Sequence, residues 1–205
     1  MTTYIATTGN RAREGDDMAR RQDPAGGPRA AMIDSAVALI REQGVAATSF
    51  TDVLAHSGAP RGSIYHHFPD GKSQLVEEAT RSAAAYLGRG VARVLESGDT
   101  VSALRELVDL WRRGLEATDY AAGCPIVAAA LGTERGAREV AGTTFAEWCE
   151  LIAASLVDDG VSRERAASLS VLIVSALEGA LVMAQAQGTS RPLDAVVDEL
   201  EVLLG

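Results

Sequence analysis

Lysine occurs once in this chain of 205 residues, histidine three times and cysteine twice, and aromatic residues make up only 4% of it. Each scarcity excludes something. Cys124 and Cys149 lack C-x-x-C spacing, which argues against a disulfide framework and a cysteine zinc site and fits a reducing cytoplasm. His56, His66 and His67 crowd into one segment with no cysteine or carboxylate at ligand spacing, so no metal is expected. There is no glycine-rich phosphate loop, and no grouping of nucleophile, base and charge stabiliser of the kind an enzyme needs. Catalytic residues and cofactors are therefore not expected. No stretch alternates apolar and polar residues with a period of two, which leaves an all-α fold. No segment repeats.

Long uncharged runs are also scarce. Ala166 to Gln187 holds one charge, Glu178, but serines, Gly179 and glutamines interrupt it. It reads as a buried helix rather than a membrane span. The formal net charge of −9 argues against a generic nucleic-acid binder. That charge is unevenly placed: residues 1–72 hold 8 Arg and Lys against 8 Asp and Glu, residues 73–205 hold 11 against 20. A neutral first part on an acidic remainder would repel DNA except at one face, favouring register over nonspecific adhesion.

The informative stretch is Thr48 to Leu75. Ser49-Phe50-Thr51-Asp52 fits the pattern in which a hydroxyl and an acid satisfy free N–H groups at a helix start. Phe50, Val53 and Leu54 make one apolar face, and Gly58 follows where a left-handed C-cap is wanted. Pro60 cannot continue a helix but suits the first turn of a new one, which predicts a second helix from Arg61 to Phe68. Ile64 and Phe68, four apart, should pack inward against Phe50 and Leu54. Gly62, Tyr65 and His66 then face outward. Arg61 and Ser63 can reach base edges or phosphates, Gly62 permits close approach, and Tyr65, His66 and His67 offer aromatic bodies with polar tips. Lys72 is a natural phosphate contact. A small hairpin with surface aromatics is the plainer reading of the same pattern.

The run Gly58 to Leu75, with Arg61-Gly62-Ser63-Ile64-Tyr65-His66-His67-Phe68 and then Lys72, closely resembles the DNA-binding signature of the TetR/AcrR family of repressors. At motif level the resemblance covers residues 29 to about 78, and more loosely the rest. Phe68-Pro69-Asp70-Gly71-Lys72 carries one residue more between Phe and Lys than most of the family. With Gly123-Cys124-Pro125 it is similar to the LmrA/YxaF-like branch. Pro60 departs from the pattern, since a Ser or Thr commonly caps the recognition helix there. The resemblance implies a three-helix helix-turn-helix domain and a larger helical domain that dimerises through its last two long helices and binds a small effector. The partner is then double-stranded operator DNA with palindromic half-sites, contacted by Thr48, Ser49, Arg61, Gly62, Ser63, Tyr65, His66, His67 and Lys72. Branch members often regulate efflux or respond to aromatic compounds, which implies an apolar or aromatic effector. Repression is the commoner sign in the family.

Domains are expected at 1–28, 29–75 and 76–205. Residues 1–28 read as a disordered arm without a signal-peptide pattern; Met18 before Arg20-Arg21 is a possible start, and the arginines are alternatively a minor-groove arm. A first helix over 30–43, with Ile33, Ala36, Val37 and Ile40 on one face, should stop at Gly44. A long helix near 73–94 follows the motif, broken at 97–100. Further helices are expected near 101–117, 125–131, 135–157, 162–187 and 192–204. Ala176, Ala180 and Ala184 allow close helix approach, and Leu193, Val196, Val197 and Leu200 form a second stripe. These are the expected interface of a homodimer. The other reading makes both stripes intrachain core. Trp111, Cys124, Phe145, Trp148 and Met183 are candidate effector contacts, with Glu178 as a polar anchor that otherwise needs a partner. Cys124, before Pro125, would sit at a helix N-terminus that lowers its pKa, which opens a redox role beside a structural one. A helical adaptor, or an enzyme that does not use the head, is the alternative function class.

Overall fold

The computed structural model describes residues 27–96 and 98–205, so Met18, Arg20 and Arg21 of the expected arm lie outside the described residues. Among those residues there are nine helices and no strand. They are α1 (Gly27–Ala47), α2 (Phe50–Ser57), α3 (Ser63–His67), α4 (Lys72–Leu95), α5 (Thr100–Glu116), α6 (Pro125–Leu131), α7 (Arg135–Asp158), α8 (Arg163–Gln187) and α9 (Arg191–Leu204). The last two residues expected in the arm, Gly27 and Pro28, belong instead to the first turn of α1.

Near the end of α1 the helix is interrupted where expected, at Gly44, whose φ of 80° and ψ of 169° are not helical. Met32, Ala36 and Ile40 line its buried face. Ser49 then caps α2: its hydroxyl accepts from the Asp52 amide at 3.2 Å, and the Asp52 carboxylate accepts from the Ser49 amide at 3.1 Å. The Ser49 hydroxyl also donates to the Asp52 carboxylate at 2.6 Å, and this bond, with the weaker one from the Ser49 amide, holds Asp52 below the usual carboxylate range. Gly58 closes α2 in the left-handed conformation with its amide on Leu54 O at 3.1 Å.

The second helix of the motif is shorter than the expected Arg61 to Phe68. Pro60, Arg61 and Gly62 form a turn instead, with the Ser63 amide and hydroxyl both donating to Pro60 O, at 2.9 and 2.7 Å. No side chain caps the start of α3. Where the family pattern would offer a hydroxyl, Pro60 offers only its carbonyl, so helical geometry is delayed to Ser63. Ile64 and Phe68 are fully buried with Met32, Val53 and Leu75, as the four-residue spacing required. The Arg29 guanidinium lies over the Phe68 ring, 5.3 Å from its centroid, and pairs with Glu78 of α4.

Helix α4 runs without a break through residue 75, so head and body share one rod. It packs along α7; α8 lies on α7 and α9, and α9 on α5, while α6 sits between α1, α4 and α7. Arg112 joins Asp109 and Asp194, tying α5 to α9. Such half-exposed pairs contribute about 1 kcal/mol or less, so burial of apolar side chains dominates the stability of the body. Helices α7 and α8 are long and apolar enough to cross a membrane by length and composition, but half of the most apolar window of α8 is buried inside the fold.

That burial corrects the expected dimer stripe. Ala180, Ala184, Leu193, Val197 and Leu200 are 0–5% exposed within the single chain. They form this subunit's own core and have no surface left to bring to a partner; Ala176 and Val196 are partly buried. The four-residue spacing marks a face that packs inward, and α8 is apolar on two sides. Its open side carries Val171, Leu172, Val182 and Met183, each about half exposed.

Candidate nucleic-acid interface and effector cavity

The head presents Arg61, Gly62, Tyr65 and His66 as exposed positions around a five-residue α3, with Ser63 and His67 partly covered. Tyr65 is 70% exposed, yet its ring meets Phe50 edge-on with centroids 5.6 Å apart. That contact aims the phenol outward without burying it. His66 and His67 also meet edge-on, at 5.4 Å. Ser49 lies exposed at the start of α2, its hydroxyl committed to Asp52. Lys72 opens α4 and donates from Nζ to Ala46 O at 3.1 Å, which places its ammonium beside the end of α1. Two further donors of the ammonium stay available for a phosphate.

Thr48 does not reach the surface of the head. It is 2% exposed, and its hydroxyl donates to Gly44 O at 2.9 Å, closing the break in α1. A buried hydroxyl already serving a backbone carbonyl cannot touch DNA; its part is to set the angle between α1 and α2.

In the body, Trp111, Trp148 and Glu178 line one small cavity with Val91, Leu107 and Leu177. Its volume, ≈ 20 Å³, is room for one water-sized molecule. Glu178 is 8% exposed; Oε1 accepts from the Cys124 thiol at 3.3 Å, and Oε2 has no hydrogen-bond partner. Burial raises its pKa from the ordinary 4.5 to about 7, against a weaker lowering by the Cys124 contact. Trp148 Nε1 is a second buried polar atom without a partner. Trp148 also floors an open groove between α4 and α7 of ≈ 960 Å³, lined by Ala84, Gly88, Val140 and Thr144 among others. Phe145 meets Trp148 edge-on at 5.7 Å and supports it from behind. Met183 belongs to neither space: it is 52% exposed on the outer side of α8.

The expected lowering of the Cys124 pKa is reversed. Amides of Ile126 and Val127 at the start of α6 do pull it down, but burial and the neighbouring Glu178 push it well above the ordinary thiol value. The thiol is therefore a protonated donor to Glu178. Among the described residues no group of His, Cys, Asp and Glu could hold a metal ion.

Residues 32–79 match the family model for bacterial regulatory proteins of the tetR family, and residues 100–199 match that for the C-terminal domain of LmrA/YxaF-like transcriptional regulators. The chain is 42% identical over 187 residues to an uncharacterized HTH-type transcriptional regulator, Rv0196, of Mycobacterium tuberculosis, covering 87% of this chain and 94% of that one. It belongs to the TetR family of transcriptional regulators, in the LmrA/YxaF-like branch. The crystal structure of a TetR transcriptional regulator from Chloroflexus aurantiacus superposes with a TM-score of 0.70 at 30% identity, covering 84% of this chain and 91% of that one. The HTH-type transcriptional repressor KstR2 of Rhodococcus jostii is 32% identical over 96 residues, 46% of this chain and 47% of that protein.

In this TetR-family regulator the sequence pointed to Trp111, Cys124, Trp148 and Glu178, and the fold brings these four together. It could not show the wall that Val91, Leu107, Ile152, Val174 and Leu177 build around them. Those are ordinary apolar positions on four helices, and only the packing selects them. Nor did it flag Gly88, whose missing side chain leaves space beside Trp148 Nε1.

Proposed function

We propose that this regulator is a repressor that binds a palindromic operator as a homodimer in the cytoplasm and is released by a small effector held in the body. TetR-family regulators bind operator DNA and form dimers, and the half-exposed side of α8 with Val202 and Leu203 of α9 is an apolar surface for a second copy. The observation that carries the reading is the braced, outward set Arg61, Gly62, Tyr65 and His66 on a head whose inward residues are fully buried. Ser49, Ser63, His67 and Lys72 complete the contact surface, with Lys72 on phosphate. Two such heads must meet successive major grooves about 34 Å apart. The similarity to the KstR2 repressor supports the sign of regulation.

The effector site is the cavity at Trp111, Trp148 and Glu178. A site with room for one water admits a larger molecule only by displacing its walls, so an effector favours a body conformation other than the one described. Such differential affinity is what moves the heads out of register. The unpartnered Glu178 Oε2 and Trp148 Nε1 within apolar walls favour a largely apolar molecule with a polar end. Selection of genomic fragments on the purified protein, with binding repeated at several salt concentrations, tests the reading. A recovered palindrome with half-sites one helical turn apart is expected. Salt-sensitive binding without sequence preference would refute it.

A further inference from the structure

Segment 121–124, between α5 and α6, is held from two sides. On one side stands α8. Glu178 accepts from the Cys124 thiol at 3.3 Å, and Gln185, two turns further along, donates from Nε2 to Ala121 O at 2.8 Å. On the other stands α1 of the head. Between those two anchors the Gly123 amide donates to Arg41 O at 2.9 Å, and Arg41 Nε donates back to Gly123 O at 3.0 Å. A Cβ on Gly123 would lie 2.4 Å from Gln185 Oε1, so a side chain there would push the Gln185 amide away from Ala121 O. The far end of α6 also rests on α1, since a Cβ on Gly132 would lie 3.1 Å from the Val45 side chain.

We propose that Arg41 is the positioning residue through which the cavity sets the placement of the head, by way of Glu178, Cys124 and Gly123. This rests on the reading that the body controls DNA binding. Only two residues, Cys124 and Gly123, separate the cavity carboxyl from the head helix. Oε1 of Glu178 is fixed by Cys124 while Oε2 is unpartnered, so any molecule that bonds Oε2 acts on a side chain with one restraint. Moving that side chain pulls on Cys124, and the reciprocal pair at Gly123 passes the displacement to Arg41. Arg41 stands one turn before the break at Gly44, from which Thr48 hangs and after which Ser49 starts the motif. A shift there changes the angle of the motif on α1 without touching any DNA contact. The rival route is the continuous rod of α4, which would carry the signal with no part for Arg41.

A double-mutant cycle separates the two. Operator affinity is measured for the full-length protein, Glu178→Met, Arg41→Met and the double variant, on the operator recovered by selection. Methionine keeps an unbranched side chain of similar length at each site and removes the hydrogen bonds. Glu178→Met is expected to change operator affinity about fivefold or more in the native background, and less than about twofold when Arg41 is also methionine. Cys124→Ala, with Glu178 intact, should behave like Glu178→Met. Hydrogen exchange at the Gly123 amide is expected to speed up in Glu178→Met, whether or not DNA is present. Equal effects of Glu178→Met in both backgrounds, or none in either, overturn the proposal in favour of α4. Should selection recover no operator, the repressor reading fails, and unchanged Gly123 exchange in Glu178→Met would then overturn the relay separately.

Discussion

Tyr65 and Phe50, one on each helix of the helix-turn-helix, meet edge-on with ring centroids 5.6 Å apart while the Tyr65 side chain stays largely in solvent. The ring is thus a strut, which leaves the hydroxyl free for the proposed DNA contact. Tyr65→Phe should keep the fold and the angle of α3 yet lower discrimination between operator and random DNA. Tyr65→Ala should lose discrimination and also loosen α3, by about 0.5–1.5 kcal/mol of aromatic contact. Operator and random-sequence affinities for both variants, with thermal unfolding, check this. Equal discrimination by Tyr65→Phe and the native protein would remove the hydroxyl from the contact surface.

Arg61 and Lys72 should separate on the same assay. Arg61 is exposed at the turn before α3, where a guanidinium can read a base edge, so Arg61→Ala should relax sequence preference at one position of each half-site. Lys72 sits beside the end of α1, away from the turn. Lys72→Ala should weaken operator and random DNA alike and reduce the salt dependence by about one unit. Matching salt slopes for native protein and Lys72→Ala would exclude the phosphate contact.

The pKa of Glu178 fixes a stability profile. The folded chain holds this proton up to about pH 7 whereas an unfolded glutamate releases it near 4.5, so the native state binds more protons between those values. Stability from this group therefore falls as pH rises from 4.5 to about 7 and is flat above. At about 1.4 kcal/mol per pH unit the loss is about 3 kcal/mol as an upper figure. Glu178→Gln stays neutral throughout, so its stability relative to the native protein should climb over that window and then level off. Denaturant unfolding at fixed protein concentration from pH 5 to 9 measures it. Parallel curves would mean that the carboxyl ionises normally in the fold.

How far the sequence led depends on which information was local. The capping box at Ser49 and Asp52, the stops at Gly44 and Gly58, the inward pair Ile64 and Phe68 and most helix bounds in the body follow from neighbours within one or two turns. They could be read directly. Two readings went astray because a partner distant in sequence decides them, and a third, at Thr48, because burial turns the hydroxyl back onto its own chain. Thr48 looks like a free hydroxyl until Gly44 O claims it; Cys124 looks activated by its helix until burial against Glu178 outweighs the dipole. Ala180 and Ala184 look like an interface until α7 and α9 cover them. Arg41 gave no signal at all, since its partner is a backbone group 82 residues away.

Cys124 and Cys149 should differ in reactivity. Both thiols are partly buried, but Cys124 is held protonated by its desolvated surroundings and the adjoining Glu178, whereas the Cys149 pKa is raised chiefly by burial with no carboxylate acting on it. A disulfide reagent in excess at pH 8 should titrate one thiol in the folded protein, and Cys149→Ser should abolish that fast phase. The second thiol should appear only on unfolding. Fast labelling of Cys149→Ser would restore Cys124 as an accessible, reactive group.

The two sides of α8 make opposite predictions for assembly. Leu172 and Met183 stand about half exposed on its open side, whereas Leu177 and Ala184 are buried against the chain's own helices. A charge at Leu172 or Met183 meets water in the monomer and an apolar partner in the dimer, so Leu172→Glu with Met183→Glu should give a folded monomer. Operator affinity should then drop by orders of magnitude, because one head alone loses the second half-site. Leu177→Ala should instead leave a cavity in the subunit and lower stability by about 2–5 kcal/mol, with the dimer intact at concentrations where the chain stays folded. Sedimentation and thermal unfolding of both variants decide between the sides. A dimeric Leu172→Glu, Met183→Glu protein would place the subunit contact elsewhere on the body.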